Sequence, residues 1–278
     1  MEISAATVKA FRDKTGLPMM DCKKALVEAN GNEEKAIEIL RKSGAKTMAA
    51  RTDRETEAGR IALFTDTKKQ VSAMVELLCE SAPVSNTEEF IALINGLAEQ
   101  LATGPGAKTT EELLAQPFPG KAGVTLQQFY DDLVNKIREV FRLTRLVRIE
   151  GPCGGYVHHN HAIGVLLPIE GTNVELGKDI CQHVAAMKPQ ALSENDLDQA
   201  IIKKERDMVL AEVQEQSKGK PENVLQKIVD GKMKSFLADR TLLGQPFVKD
   251  GAKTVAQVCE EGKIKIKKMI HWILGQDS

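Results

Sequence analysis

The sequence predicts an α+β protein: an N-terminal three-helix domain, a core in which one α+β unit occurs twice, and an antiparallel helical hairpin inserted into the second copy. Three observations predict it. Residues 1–44 carry the punctuation of three short helices. The order strand, strand, helix runs from Gly59 and again from Gly155. Residues 193–238 change to two charged helices with thin apolar seams. The boundaries that follow are 1–44 for the head, 45–58 for a linker, 59–140 for the first core subdomain, 141–192 with 239–278 for the second, and 193–238 for the hairpin.

In the head, Ser4 is placed to cap the first helix, with Val8 and Phe11 on its inner face. Gly16-Leu17-Pro18 breaks that helix, and Pro18 suits the start of the next, MMDCKKALVEAN. Gly31 stands where a left-handed residue ends a helix, and Asn32 then caps EEKAIEILRKSG. Glu33 and Glu34 in its first turn and Arg41 and Lys42 in its last complement the helix dipole, with Gly44 as the expected stop. A domain this small needs its large apolar side chains inside. Leu17, Met19 and Met20 crowd around a turn instead, so at least one is expected to face outward.

The polar stretch KTMAARTDRETEAG lacks a consistent apolar face and reads as a linker. GRIALFTDT and QVSAMVELLCES are expected strands joined by a turn at Lys68-Lys69, followed by a helix from Thr87 to about Leu101. After a Gly/Pro-rich break, TLQQFYDDLVNKIRE is an amphipathic helix leading into the strand FRLTRLVRIEG. GGYVHHNHAIGVLLPIEG forms the second strand pair, and VELGKDICQHVAAMKP its helix. In the hairpin the expected stripes are Leu197, Ile201, Met208 and Val213 against Val224, Ile228, Met233 and Leu237, with the turn at SKGKP. KIKIKKMIHWILG alternates as a final strand.

The composition excludes several functions. The 278 residues carry 38 basic and 39 acidic side chains, so no basic field invites nucleic acid. No apolar run approaches the ~18 residues of a membrane span. MEISAATVKAF has the order of neither a signal nor a transit peptide, and a cytoplasmic chain is expected. Five cysteines without a CxxC pair argue against disulfides and zinc, and predict buried thiols. With 4% aromatic residues, stacking on bases is not expected.

The constellations that could carry chemistry fall short. GAKT occurs three times, from Gly44, Gly106 and Gly251, but Ala45, Ala107 and Ala252 stand where a phosphate loop needs glycine. These read as turns after helices. His158, His159 and His161 invite a metal, yet on a strand 158 faces away from the other two, and no acidic or thiol pair accompanies them. No nucleophile–base set is evident, so neither a catalytic residue, a metal nor a cofactor is expected.

Beyond these patterns, TGLPMMDCKKALVEANGNEEKAIEILRKSGA is similar to the N-terminal signature of the bacterial elongation factor Ts family. In the family's order follow Glu76-Leu-Leu-Cys-Glu80, Tyr156-Val-His-His-Asn160, Gly164-Val-Leu166, His183-Val-Ala-Ala-Met-Lys-Pro189 and Leu243-Gly-Gln-Pro-Phe-Val248. The resemblance covers nearly the whole chain. It implies a ubiquitin-associated-like head, a two-subdomain core and a coiled-coil hairpin. It further implies a guanine nucleotide exchange factor that binds the GTPase elongation factor Tu in its GDP-bound and nucleotide-free forms. Leu17, Met19 and Met20 are then an expected docking handle, and His158, His159 and Asn160 match the family's histidine-bearing contact loop.

The family's Thr-Asp-Phe-Val segment, which disturbs the partner's magnesium site, corresponds here to Ser81, Ala82, Pro83 and Val84. The Asp carboxylate and the Phe wedge are absent. Pro83 is expected to serve as a smaller, stiffer wedge. The alternative is a holdase that grips the GTPase with weak exchange. Self-association through the hairpin or the core is left open.

Overall fold

The computed structural model describes residues 3–49, 53–216 and 221–276, and the side chains of 45–49 are outside the description. The polypeptide divides into two compact units. The first comprises 1–148, 159–162 and 273–278, and the second 149–158 and 163–272.

The first unit begins with three helices: α1 (Ala5–Thr15), α2 (Met19–Glu28) and α3 (Glu33–Ala49). The N-caps of α1 and α3 and the end of α1 are those the sequence predicts. Ser4 Oγ accepts from Thr7 N–H, and Asn32 Oδ1 from Lys35 N–H at 2.9 Å. Gly16 ends α1 at φ +69°, a conformation open to glycine at little cost. Val8, Phe11, Cys22, Ala25, Leu26, Ala36 and Leu40 form the core between these helices.

Gly44 does not stop α3, which continues to Ala49. The reason lies across from it: a Cβ at Gly44 would sit 1.4 Å from Asn135 Oδ1. The glycine is there for close approach to another helix, not to end its own. The remaining GAKT copies also depart from expectation in part, since Gly106 lies in a loop but Gly251 lies within a strand.

β1 (Ala58–Asp66) and β2 (Val71–Cys79) form an antiparallel hairpin, with Ile61 opposite Glu76. The one-turn helix α4 (Ala82–Ser85) leads to α5 (Glu88–Thr103), capped by Thr87 and packed on both strands. Then come α6 (Thr110–Leu114), α7 (Leu126–Ile137) with a Thr125/Gln128 capping box, and β3 (Arg142–Glu150), which adds to β2. All nine residues of β2 are buried, beneath β1 and β3 at its edges and α5 on its face.

The second unit repeats the plan. β4 (Cys153–Val157) and β5 (Ile163–Glu170) pair antiparallel and carry α8 (Val174–Met187). The helix lies close because glycines meet: a Cβ on Gly154 would fall 2.3 Å from the Gly177 carbonyl carbon. α9 (Gln199–Gln216) and α10 (Glu222–Arg240) follow. They pack together, and so short a connection makes them antiparallel. Their turn, SKGKP, lies mostly outside the described residues.

The seam is rotated by one residue from the predicted stripe on α9. Val209, Val213, Val229 and Met233 are buried with Ile202, Leu210 and Phe236 beside them, whereas Ile201 and Met208 are exposed. Steps of seven and four from Ile202 keep one helix face toward the partner, which the 201/208 stripe cannot do together with Val213 as well.

The chain closes with β6 (Pro246–Phe247), β7 (Asp250–Thr254), α11 (Val255–Glu261), β8 (Lys265–Ile266) and β9 (Ile270–Ile273). The single final strand expected from alternation is thus two short ones, both on β5. β5 carries Pro168, which has no N–H for a continuous ladder. Among the described residues no helix is long and apolar enough to cross a membrane. All five cysteines are buried as thiols, and burial holds Cys79 and Cys259 up at about 11.

His183 is fully buried on α8. Its Nδ1 accepts from Val248 N–H at 3.1 Å, so Nε2 carries the proton and donates to Gln245 Oε1 at 2.9 Å. Gln245 Nε2 donates onward to the Asp239 carbonyl at 2.7 Å. Burial lowers the His183 pKa, with the Gln245 bond opposing. The folded state therefore prefers neutral imidazole. Its contribution is complete above the unfolded value of ~6.5 and is lost as pH falls below that toward the folded pKa. We expect His183→Gln to flatten the pH dependence of urea-unfolding midpoints between pH 7 and 5, by up to ~1.4 kcal/mol per pH unit. His161 and His271, also lowered by burial, will retain their share. An unchanged slope would remove His183 from the account.

Candidate partner-binding surface

The predicted elements of the first unit sit on short backbone turns held by side chains from elsewhere in that unit. At the head, Met19 and Met20 occupy the first turn of α2 at 43% and 61% exposure. Cys22, Ala25 and Leu26 on the same helix point inward. Leu17 differs from its expected role as part of the exposed handle. It is half-buried, packs against the head core and lines grooves of about 210 and 250 Å³ with Leu40 and Asn135. The reason is register, since residue 17 precedes the helix and turns back under it.

The head is fixed to α7 by charge. Arg41 makes two 2.7 Å bonds to the Asp132 carboxylate, and Asp21 pairs with Arg138. Arg138 caps α7 in a left-handed conformation, φ +66°. Its neighbour Glu139 reaches the second predicted element. Ser81 donates to it twice, from the backbone N–H at 3.1 Å and from Oγ at 2.5 Å. Glu80 returns the strap by accepting from Val140 N–H at 2.8 Å. Met20-Asp21, Arg138-Glu139 and Ser81-Ala82 are therefore linked in one chain of contacts.

Ser81 is the N-cap of the one-turn helix α4, and Ala82, Pro83 and Val84 are its first three residues. Ala82 and Pro83 are exposed at its tip, while Val84 packs against the core. The Cys79 thiol donates to the Ser81 carbonyl, and the Ala82 carbonyl accepts from Ser85 Oγ and Asn86 Nδ2, each at 2.8 Å. Arg60 of β1 donates to the Ser85 carbonyl at 3.3 Å and to Asn86 Oδ1 at 2.8 Å.

The histidine element is a tight loop, which corrects the strand expected there. A strand geometry fails because His161 adopts φ +56°. His159 and Asn160 are exposed, and Asn160 Oδ1 accepts from Ala162 N–H at 3.0 Å. The His161 carbonyl accepts from Ile61 N–H at 2.8 Å, and the Ala162 carbonyl from Leu274 N–H at 2.8 Å. Burial lowers the His161 pKa, and the Arg60 charge adds to it. His158 belongs to the second unit, half-buried, with Nδ1 3.0 Å from Tyr156 Oη.

No group of three His, Cys, Asp or Glu converges for a metal among the described residues. The raised thiols offer no ready nucleophile. What these elements can do is present rigid shape. Glu139, Arg60 and Arg138 escaped sequence reasoning because their partners lie 25 to 117 residues away.

Known proteins resemble this chain over nearly its whole length. The sequence profile described as Elongation factor TS matches residues 80–276. The chain is 37% identical over 279 residues to elongation factor Ts of Thioalkalivibrio sulfidiphilus, spanning 99% of this chain and 93% of the relative. It is 37% identical over 276 residues to elongation factor Ts of a Hydrogenobaculum species, spanning 99% and 100%. It is 39% identical over 278 residues to elongation factor Ts of an Azoarcus species, spanning 99% and 91%.

Exposure separates the apolar residues of the head turn. Met20→Asp is expected to change head stability by no more than ~0.5 kcal/mol, as for other exposed positions. Leu17→Asp, which would bury an unpaired carboxylate, is expected to destabilise by several-fold more. Thermal melts of the two variants check this; equal losses would place Met20 inside.

Proposed function

The chain belongs to the elongation factor Ts family, and from that premise we propose that it is a cytoplasmic guanine nucleotide exchange factor for elongation factor Tu. In this reading it makes and breaks no covalent bond. It binds the GDP-bound GTPase, perturbs the magnesium and phosphate site, and lets GTP replace GDP. The residues 1–44 would be the ubiquitin-associated-like head and 193–238 the coiled-coil insertion.

The observation that carries the reading is the exposed Ala82-Pro83 tip on a backbone held by Glu139, Cys79 and Arg60. A wedge works only if inserting it costs the partner more than it costs itself. Pro83 has its φ preset and Ala82 has no side-chain rotamers to lose, so little entropy opposes insertion. Met19 and Met20 supply an adaptable apolar contact, since the thioether conforms to irregular surfaces. His159 and Asn160 supply a polar contact from a fixed loop.

The energetics define what must be asked of that tip. Accelerating GDP release ~10⁴-fold corresponds to about 5.5 kcal/mol of barrier lowering. A surface that grips loaded and empty GTPase equally well shifts nothing. The tip must therefore favour the distorted, empty partner, and nucleotide must weaken the factor by the same ratio. The missing Asp and Phe side chains favour a second reading, a holdase that grips with little exchange.

Stopped-flow release of a fluorescent GDP from elongation factor Tu separates the two. Acceleration at micromolar factor is expected, and none would leave the holdase. Met19→Asp combined with Met20→Asp should raise the Kd for the GTPase at least tenfold, ~1.4 kcal/mol, with the fold intact. Ala82→Asp with Pro83→Phe should increase the release rate. A decrease would mean that the partner's pocket is shaped for Pro83.

A further inference from the structure

Glu76 stands in the middle of β2 at 2% exposure, the sole buried carboxylate among the described residues. Thr144 Oγ1 donates to its Oε1 at 2.6 Å, and Arg145 Nε to the same oxygen at 3.0 Å. Arg145 Nη2 closes the fork on Oε2. β2 and β3 are neighbours, so this much would merely bind one strand to the next.

The pair does more with its remaining capacity. Arg145 Nη2 also donates to the Ile273 carbonyl at 2.9 Å, and Gly275 N–H donates to Glu76 Oε2 at 3.2 Å. The residue between them, Leu274, gives its N–H to the Ala162 carbonyl at 2.8 Å. Ala162 in turn donates to Asn160 Oδ1. On the other side, Ile61 lies opposite Glu76 in the β1–β2 register and donates to the His161 carbonyl. Two backbone supports of the exposed His159-Asn160 loop, those at the His161 and Ala162 carbonyls, thus lead back to position 76. His161 is held at φ +56°, which a non-glycine residue keeps only where its surroundings over-determine it.

We infer that the buried Glu76–Arg145 pair is a positioning element: by clamping residues 273–275 it fixes the loop His159-Asn160 in the conformation presented to the partner. The inference rests on the exchange function proposed above for the loop's role, but not for the clamp itself. Stability does not account for the pair, because apolar residues of similar volume commonly replace a buried ion pair without loss. What apolar residues cannot do is hold a carbonyl and an N–H of a separate segment.

The double variant Glu76→Leu, Arg145→Met tests this. It is expected to fold with an unchanged or raised Tm. Hydrogen-exchange protection of the Leu274 and Gly275 amides should fall at least tenfold, while the β1–β2 ladder stays protected. The GDP release rate at saturating factor should fall about tenfold, with the half-saturating concentration changed less than threefold. Unchanged protection at Leu274, or an unchanged saturating rate, would overturn the inference. Should the double variant not fold, Leu274→Pro, which leaves the pair intact and removes one donor, is expected to give the same rate loss; wild-type behaviour would overturn the inference. If the wild-type chain accelerates no release, the exchange reading falls by itself, and amide protection alone decides the clamp.

Discussion

A carboxylate buried in the middle of a strand needs a counter-charge and a donor for its lone pairs, and Glu76 obtains them from two separate stretches of chain, β3 and residues 273–275. Removing an ion from water costs several kcal/mol even after relaxation. Position 76 therefore tolerates few arrangements: Thr144, Arg145 and Gly275 must all arrive, or the charge is stranded. A Leu there would have packed equally well against a displaced β3 or a frayed terminus. The constraint is one of uniqueness. It converts the alignment of β3 and the seating of residues 273–275 into one requirement, and the loop at 159–162 inherits its place through backbone bonds to Ile61 and Leu274.

The same economy governs the other proposed contact elements. Ala82-Pro83 and Met19-Met20 are borne on first turns of helices, where backbone N–H groups lack intrahelical partners and the chain is readily re-aimed. Neighbouring charges fix them. Arg138 and Glu139 face opposite ways from the end of α7, one to Asp21 and the other to Ser81. The ion pairs at the head are half-exposed and individually worth little, ~0.2–1 kcal/mol each. They orient the head more than they stabilise it. The Glu139–Ser81 contact is part-buried and lies at the tip itself, so its loss falls directly on the presentation of Ala82.

Much of this was legible in the sequence where the signal was local. Ser4, Gly16, Asn32 and Thr87 mark helix ends by chemistry that acts within four residues, and the structure has them in those roles. The two strand–strand–helix units were visible because alternation and helical period are themselves local. Two of the misreadings share one cause, a distant partner. Gly44 looks like a stop until Asn135 approaches it, 91 residues later. The α9 stripe was placed on Ile201 and Met208, though only the position of α10 decides which face is the seam. His158–His161 read as part of a strand pair for a local reason instead: β4 ends at Val157 and the chain must reverse before Ile163. At the proposed contact elements the outward turn of Met19 and Met20 was legible, whereas the burial of Leu17 and the supports were not, because a single sequence gives no sign that Glu139 reaches Ser81.

The small side chains at the α4 tip change how the surface must work in the proposed reading. A Phe carries its own shape, and modest backbone displacement can be absorbed by rotating χ1. Ala82 has no such freedom, and Pro83 has only ring pucker, so the form offered to the partner is that of the backbone. Its accuracy then depends on what holds the backbone: the Glu139 strap at the start of the turn, Arg60 at its end, and the hydrogen bonds that close on the Ala82 carbonyl. A misplacement of ~1 Å in a preorganised contact is enough to cost most of its effect. Where the tip is bare, selection for exchange would act on the supports as strongly as on the tip, and Arg60 links two of the proposed contact elements because it bonds to the end of α4 while its charge acts on His161.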